Sequence, residues 1–150
     1  MADDTAALRA AIELAVRRFT ADVALFNHDV ARQLGLGQNE ARFVTLLQMH
    51  GPLTPGRLAE LSGLGSGTVT GVLDRLEAAG YAARGRDPAD RRRVTVTLNQ
   101  ERIAREVDAL CAPRLERLGS TLERFNREEL WTIADFLGRL VPLLSDEVEA

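Results

Sequence analysis

Apolar residues return at intervals of three and four from near the start of the chain. Leu8, Ile12, Val16, Phe19, Val23, Phe26, Val30 and Leu34 form one stripe, which predicts a long amphipathic helix. Gly35-Leu36-Gly37 should end it, because glycine readily supplies a left-handed cap. A second helix is predicted from about Asn39 to Met49, with Phe43, Val44, Leu46 and Leu47 inward and His50-Gly51-Pro52 as its stop. Thr54 as N-cap and Pro55 at the first helical position open a short third helix, whose inward residues are Leu58 and Leu61. Gly63 to Gly65 make a turn. A fourth helix is predicted from about Ser66 to Ala79, with Gly80 as its stop. Its Val69, Val72, Leu73 and Leu76 commit one face to a core.

Beyond Gly80 the period changes. Tyr81 to Arg84 reads as short and extended, and Gly85 to Arg93 as a loop containing Pro88. Val94, Val96 and Leu98 then alternate with Thr95 and Thr97, the two-residue period of a half-buried strand. Asn99 is placed to cap a long helix carrying Ile103, Val107, Leu110, Leu115, Leu118 and Leu122, kinked at Pro113. A last helix should start near Asn126, with Glu129 reaching back in a capping box. It carries Leu130, Ile133, Leu137, Leu140 and Leu144, and Pro142 bends or ends it. The expected fold is mainly α with a small β-hairpin wing: a winged helix-turn-helix flanked by long helices suited to pairing two such modules. One domain over 1–150 is expected, with 36–99 as the winged part and 5–35 together with 100–147 as the helical dimerisation part.

Composition narrows the function classes. A chain of 150 residues buries roughly 70% of its unfolded surface, enough for one cooperative core. No apolar run approaches the ~18 residues of a membrane span, and the acidic start is unlike a signal peptide. One cysteine excludes an intrachain disulfide, which suits a reducing cytoplasm. The net charge of −3 hides an uneven distribution. Thr54 to Leu98 holds seven Arg against five acids, and the remainder twelve Arg against seventeen acids. For a nucleic-acid partner that distribution matters more than the sum.

The basic stretch carries the chemistry. A helix-turn-helix sets its second helix in the major groove, so that helix needs one apolar and one short polar face. Ser66 to Arg75 meets the requirement: Ser66, Thr68 and Thr70 are of a size to reach base edges or phosphates, and a threonine methyl can pack on a thymine methyl. Gly67 and Gly71 each cost ~1 kcal/mol against alanine, which close approach of the backbone to DNA would explain. Arg84-Gly-Arg-Asp-Pro-Ala-Asp-Arg-Arg-Arg93 places five Arg against two Asp on a hairpin tip, suited to phosphates or a narrow minor groove. Asp90 is placed to orient Arg92. The candidate DNA-binding residues are Thr54, Arg57, Ser66, Gly67, Thr68, Thr70, Gly71, Arg75, Arg84, Arg86, Asp90, Arg91, Arg92 and Arg93.

Over nearly its whole length the chain resembles a MarR-family transcriptional regulator. The motifs that carry the resemblance are Leu58-Ala-Glu, Thr68-Val-Thr, Leu73-Asp-Arg-Leu-Glu77, Gly80 and Asp90-Arg-Arg92 followed by Val96-Thr-Leu98. The family's wing pattern of Asp-x-Arg is met by Asp90 and Arg92, and its final Thr is replaced by Asn99. The resemblance implies a homodimer in which terminal helices of two subunits interlock and each winged module meets half of a palindromic operator. It also implies repression relieved by a small, often phenolic or drug-like effector, or by an oxidant. Gly71 departs from the family, where a longer polar or basic residue is frequent, so base readout should lean on Ser66, Thr68, Thr70 and DNA shape.

Other residues invite stronger claims and sustain bland ones. Cys111 beside Leu110 reads as a core or interface residue; a redox switch needs a lowered thiol pKa, and the family's peroxide sensors carry their cysteine near the N-terminus. His28, Asp29, His50 and Cys111 are too scattered for a zinc site. His50 reads as a helix-terminal residue, and Trp131 and Tyr81 as core or edge packing. Phe19, Phe26, Phe43 and His28 suit an effector pocket and suit a core equally, so no effector site is assigned. Neither a cofactor nor a catalytic constellation is expected. The alternative to DNA binding is a winged-helix protein–protein module.

Overall fold

The computed structural model describes residues 2–87 and 89–146, with side chains from residue 4 to residue 141 except 88. Within this range the order is α1 (Ala2–Gln33), α2 (Gln38–His50), α3 (Pro55–Ser62), α4 (Ser66–Ala78), β1 (Ala82–Arg86), β2 (Val94–Leu98), α5 (Gln100–Arg102), a π-helical stretch (Ile103–Asp108), α6 (Ala109–Leu122) and α7 (Arg127–Asp146). The chain divides after Asp108 into two compact units.

Helix ends obey local chemistry. After α1, Leu36 N–H donates to Ala31 O at 2.8 Å around Gly35, whose φ is +66°. Thr54 Oγ1 accepts from Arg57 N at 3.1 Å and caps α3, and Gly63, with φ +68°, closes it. In the second unit, Asn126 Oδ1 accepts from the N–H groups of Glu128 and Glu129, and Asn126 N–H donates to Glu129 Oε2 at 2.8 Å. That is the capping box the sequence predicts.

The core of the first unit gathers the inward faces of α2, α3 and α4 with the base of the hairpin. Phe43, Leu47, Leu58, Val69, Val72, Leu73, Leu76, Val96 and Ile103 are all buried. Each such side chain contributes about 1.5–3 kcal/mol on leaving water. Phe43 is therefore core, one of the two readings its sequence position allows.

The hairpin differs from expectation in detail. Its antiparallel register runs from Ala82 opposite Leu98 to Arg86 opposite Val94, so Gly85 and Arg86 lie in β1 rather than in the loop. Leu53 adds a third edge: its N–H donates to Val96 O at 3.2 Å and its O accepts from Val96 N at 2.7 Å. At the wing end of β2, Val94 is exposed while Thr95 is buried, so strict alternation fails there. Pro88 lies outside the described residues.

Asn99 caps α5 through Arg102 N–H at 3.2 Å, as predicted. A π-helical stretch separates α5 from α6, and Pro113 sits inside α6. In the second unit α7 extends past position 142. The side chains of Pro142 and Leu144 lie outside the described ones. Trp131 is 70% exposed, which overturns its reading as packed. No helix among the described residues is long and apolar enough to cross a membrane.

Candidate nucleic-acid interface

The second helix of the helix-turn-helix, α4, is anchored by Val69, Val72, Leu73 and Leu76, all buried. Its other face leaves Ser66, Gly67, Thr68, Thr70, Asp74 and Arg75 exposed and Gly71 half-buried. Apolar contacts thus orient the helix, and its short polar side stays outside.

The arginines divide into held and unheld groups. Arg84, on β1, is the most constrained. Its Nη1 pairs with Asp74 Oδ1 at 2.8 Å and with Glu77 Oε2, its Nη2 donates to Thr70 O at 3.2 Å, and its backbone N–H donates to Glu77 Oε1 at 2.6 Å. The side chain is only 26% exposed. Arg84 ties the wing to α4, and its guanidinium is committed within the chain.

Arg75 Nε donates to Glu40 Oε1 at 2.5 Å, and the Glu40 side chain is buried at the start of α2. Gly37 makes room for that carboxylate: a Cβ there would stand 2.1 Å from Glu40 Oε2. Arg75 itself remains largely exposed. Arg57 pairs with Glu60 at 2.8 Å on the surface of α3, and Thr54 is half-buried with its oxygen engaged as a cap.

The wing loop is folded by its two aspartates. Asp87 Oδ1 accepts from Ala89 N at 2.8 Å, and Asp90 Oδ1 accepts from Arg92 N at 3.0 Å. Asp87 N–H donates to Arg93 O and Arg93 N–H to Asp90 O, each at 2.9 Å. Asp90 therefore orients Arg92 through its backbone, not through its guanidinium. Arg86 Nη1 donates to Arg91 O at 2.8 Å and braces the same loop. Arg91, Arg92 and Arg93 are exposed, and among the described residues no ion pair or hydrogen bond holds their guanidiniums.

The base of the wing is fixed to the π-helical stretch. Tyr81 is buried and its hydroxyl donates to Glu106 Oε2 at 2.7 Å. Arg102 Nε donates to the same oxygen at 3.1 Å, with its guanidinium 4.4 Å from the Tyr81 ring centroid. Burial, then the Glu106 carboxylate, raises the Tyr81 hydroxyl above its ordinary pKa. The Tyr81 hydroxyl, then Arg105, holds Glu106 below the usual carboxylate range.

Sequence reasoning names the arginines and misses their partners. Glu40 holds Arg75, and Asp74 and Glu77 hold Arg84; Glu40 stands 35 residues from Arg75, beyond any local pattern. Glu77 and Arg84, seven apart across a turn, leave a faint signal in the Leu73-Asp-Arg-Leu-Glu77 motif. Among the described residues, no three His, Cys, Asp or Glu side chains group as metal ligands would.

Comparison with known proteins identifies the family of this fold. A model described as the MarR family matches residues 34–93, which span α2 through the wing. The uncharacterized HTH-type transcriptional regulator YcgE of Bacillus subtilis (strain 168) is 34% identical over 134 residues, covering 89% of this chain and 86% of that protein. The HTH-type transcriptional repressor YetL of the same organism is 28% identical, covering 74% of this chain and 68% of that protein. Among solved structures, an S. aureus MepR mutant bound to an oligodeoxyribonucleotide shares the fold at TM-score 0.56 and 20% identity, covering 88% of this chain and 96% of that one. With its helix-turn-helix, its wing and a relative matched over most of both lengths, the chain belongs to the MarR family of transcriptional regulators.

Proposed function

We propose that the chain is a cytoplasmic repressor that binds a palindromic operator as a homodimer and is released by a small-molecule effector. The observation that carries the reading is the pairing of an outward α4 face with three unheld arginines at the wing tip. The α4 face offers hydroxyls and bare backbone to base edges, and Arg91, Arg92 and Arg93 offer charge to phosphates. Thr54, Arg57, Arg75 and Arg86 are proposed to border this surface. Arg84 and Asp90 serve it by positioning. Occupied DNA is closed to transcription, and the relative named a repressor supports that direction. Nothing in the reading calls for a cofactor or a catalytic group.

Two copies are proposed to pair through the terminal helices, residues 5–35 and 100–147, leaving 36–99 for DNA. Support comes from large apolar side chains that each unit leaves in water: Leu8, Phe19 and Leu25 on α1, Leu115 and Leu118 on α6, Leu137 and Val141 on α7. Gathered on the terminal helices, such side chains are what a partner surface would cover.

Selection of bound duplexes from a random library, followed by anisotropy at two salt concentrations, tests the reading. A recovered palindrome bound with steep salt dependence is the expected result, because each neutralised phosphate releases counterions. Phenols and drug-like compounds are then titrated for release of that duplex. Flat, weak binding without enrichment would overturn the reading in favour of a protein–protein module.

A further inference from the structure

Where the hydroxyls of α4 point determines which chemical groups it offers to DNA. Thr70 Oγ1 donates to Ser66 O of its own helix at 3.0 Å. Helical threonines bond this way when a carbonyl stands one turn behind them. Thr68 has Leu64 at that place, before α4 begins at Ser66, and its hydroxyl has no hydrogen bond among the described residues. Ser66 likewise keeps its hydroxyl unengaged there. Thr70 is exposed, and with its Oγ1 engaged within the helix the methyl is the group it has left to offer a partner.

The helix surface around that methyl is low. Gly67 lies one turn before it and Gly71 directly after it. A Cβ on Gly67 would meet nothing within 4 Å, and one on Gly71 only Arg75 Nη1 at 3.5 Å, so the fold itself does not require either position to be bare. Asp74, one turn further on, is held by Arg84 at 2.8 Å, and the Thr70 carbonyl accepts from the same guanidinium. Thr70 therefore stands above a floor of backbone, at a position pinned to the wing.

We propose that Thr70 is a specificity-determining residue that reads the C5-methyl of thymine by methyl-to-methyl contact, while Ser66 and Thr68 supply the hydrogen bonds. The inference rests on the DNA-binding reading above. In the major groove the thymine methyl is the apolar mark among donors and acceptors. The two glycines let the helix approach until the methyls touch.

The probe is the duplex recovered from the library, with thymines replaced one at a time by deoxyuridine. At one position per half-site the replacement should weaken binding about fourfold, the worth of one buried methyl. Thr70→Ser, which keeps the hydroxyl and drops the methyl, should bind both duplexes equally. Thr70→Val keeps a methyl and should retain the discrimination. Thermal unfolding of both variants confirms that they are folded. Wild-type binding indifferent to deoxyuridine at every position overturns the inference, as does discrimination surviving in Thr70→Ser. Loss of binding in folded Thr70→Val alone would assign the reading to the hydroxyl. A library that yields no duplex would remove the DNA-binding reading and this inference together. A duplex bound tightly without methyl dependence would remove the inference alone.

Discussion

Gly67 sits within α4 where alanine would favour the helix by about 1 kcal/mol, and the space for a Cβ is open. Gly67→Ala should therefore raise stability by about that amount in urea unfolding. On the proposed interface the same methyl stands between helix and groove, so affinity for the selected duplex should fall. Opposite signs in the two measurements cannot come from a damaged fold. Greater stability with unchanged affinity would place the helix backbone away from DNA. Tyr81 and Glu106 supply a second residue-scale test. Glu106 has a folded pKa below its ordinary 4.5, so its contribution is complete above that value and lost as pH falls through the lower folded one. Tyr81 is raised above 10.0, so its contribution is complete below that and lost as pH rises through the raised value. Tyr81→Phe should cost about 1 kcal/mol near neutrality and flatten both limbs of the stability–pH curve. Glu106→Gln should flatten the acid limb, and an unchanged acid limb would mean that the pair contributes nothing to folding.

At the scale of elements, Arg84 and Arg92 make opposite predictions for salt dependence. Arg84 is spent on Asp74, Glu77 and the Thr70 carbonyl, joining β1 to α4. Arg84→Met should weaken both the fold, by about 1–2 kcal/mol, and DNA binding, without changing the slope of log affinity against log salt. Arg92, exposed at the loop, should do the reverse. Arg92→Ala leaves stability alone and reduces the slope by about 0.9 for each phosphate that is no longer neutralised. Equal slopes for wild type and Arg92→Ala would remove Arg92 from the interface. The same residues show how far sequence carries. Thr54, Asn99 and Asn126 are legible as caps because a cap is a local bond between neighbours. Val69, Val72, Leu73 and Leu76 are legible because period reports burial. The commitments of Arg75 to Glu40 and of Leu53 to Val96 join segments whose separation is set only by folding. The π-helical stretch at Ile103–Asp108 is hidden for another reason: its apolar residues fit an ordinary helical stripe equally well.

At the scale of the whole molecule, the proposed dimer explains why a family regulator leaves Phe19 69% and Leu137 51% exposed in a single chain. A side chain already in water costs the monomer little when made polar, whereas the same change inside an interface buries an unpaired charge. Leu137→Asp should therefore leave the thermal unfolding of dilute protein nearly unchanged while shifting its sedimentation from dimer to monomer. Geometry sets the consequence for DNA. Each wing and α4 would still meet one half-site, so weak, salt-sensitive binding persists. The advantage of two half-sites on one duplex is lost, because the second half-site is no longer engaged intramolecularly. Affinity for the palindrome should fall towards that for a single half-site, and the dependence on half-site spacing should vanish. A Leu137→Asp protein that still sediments as a dimer would move the interface off this face of α7. A monomeric variant that still prefers the palindrome would mean that DNA, rather than the terminal helices, brings the two copies together.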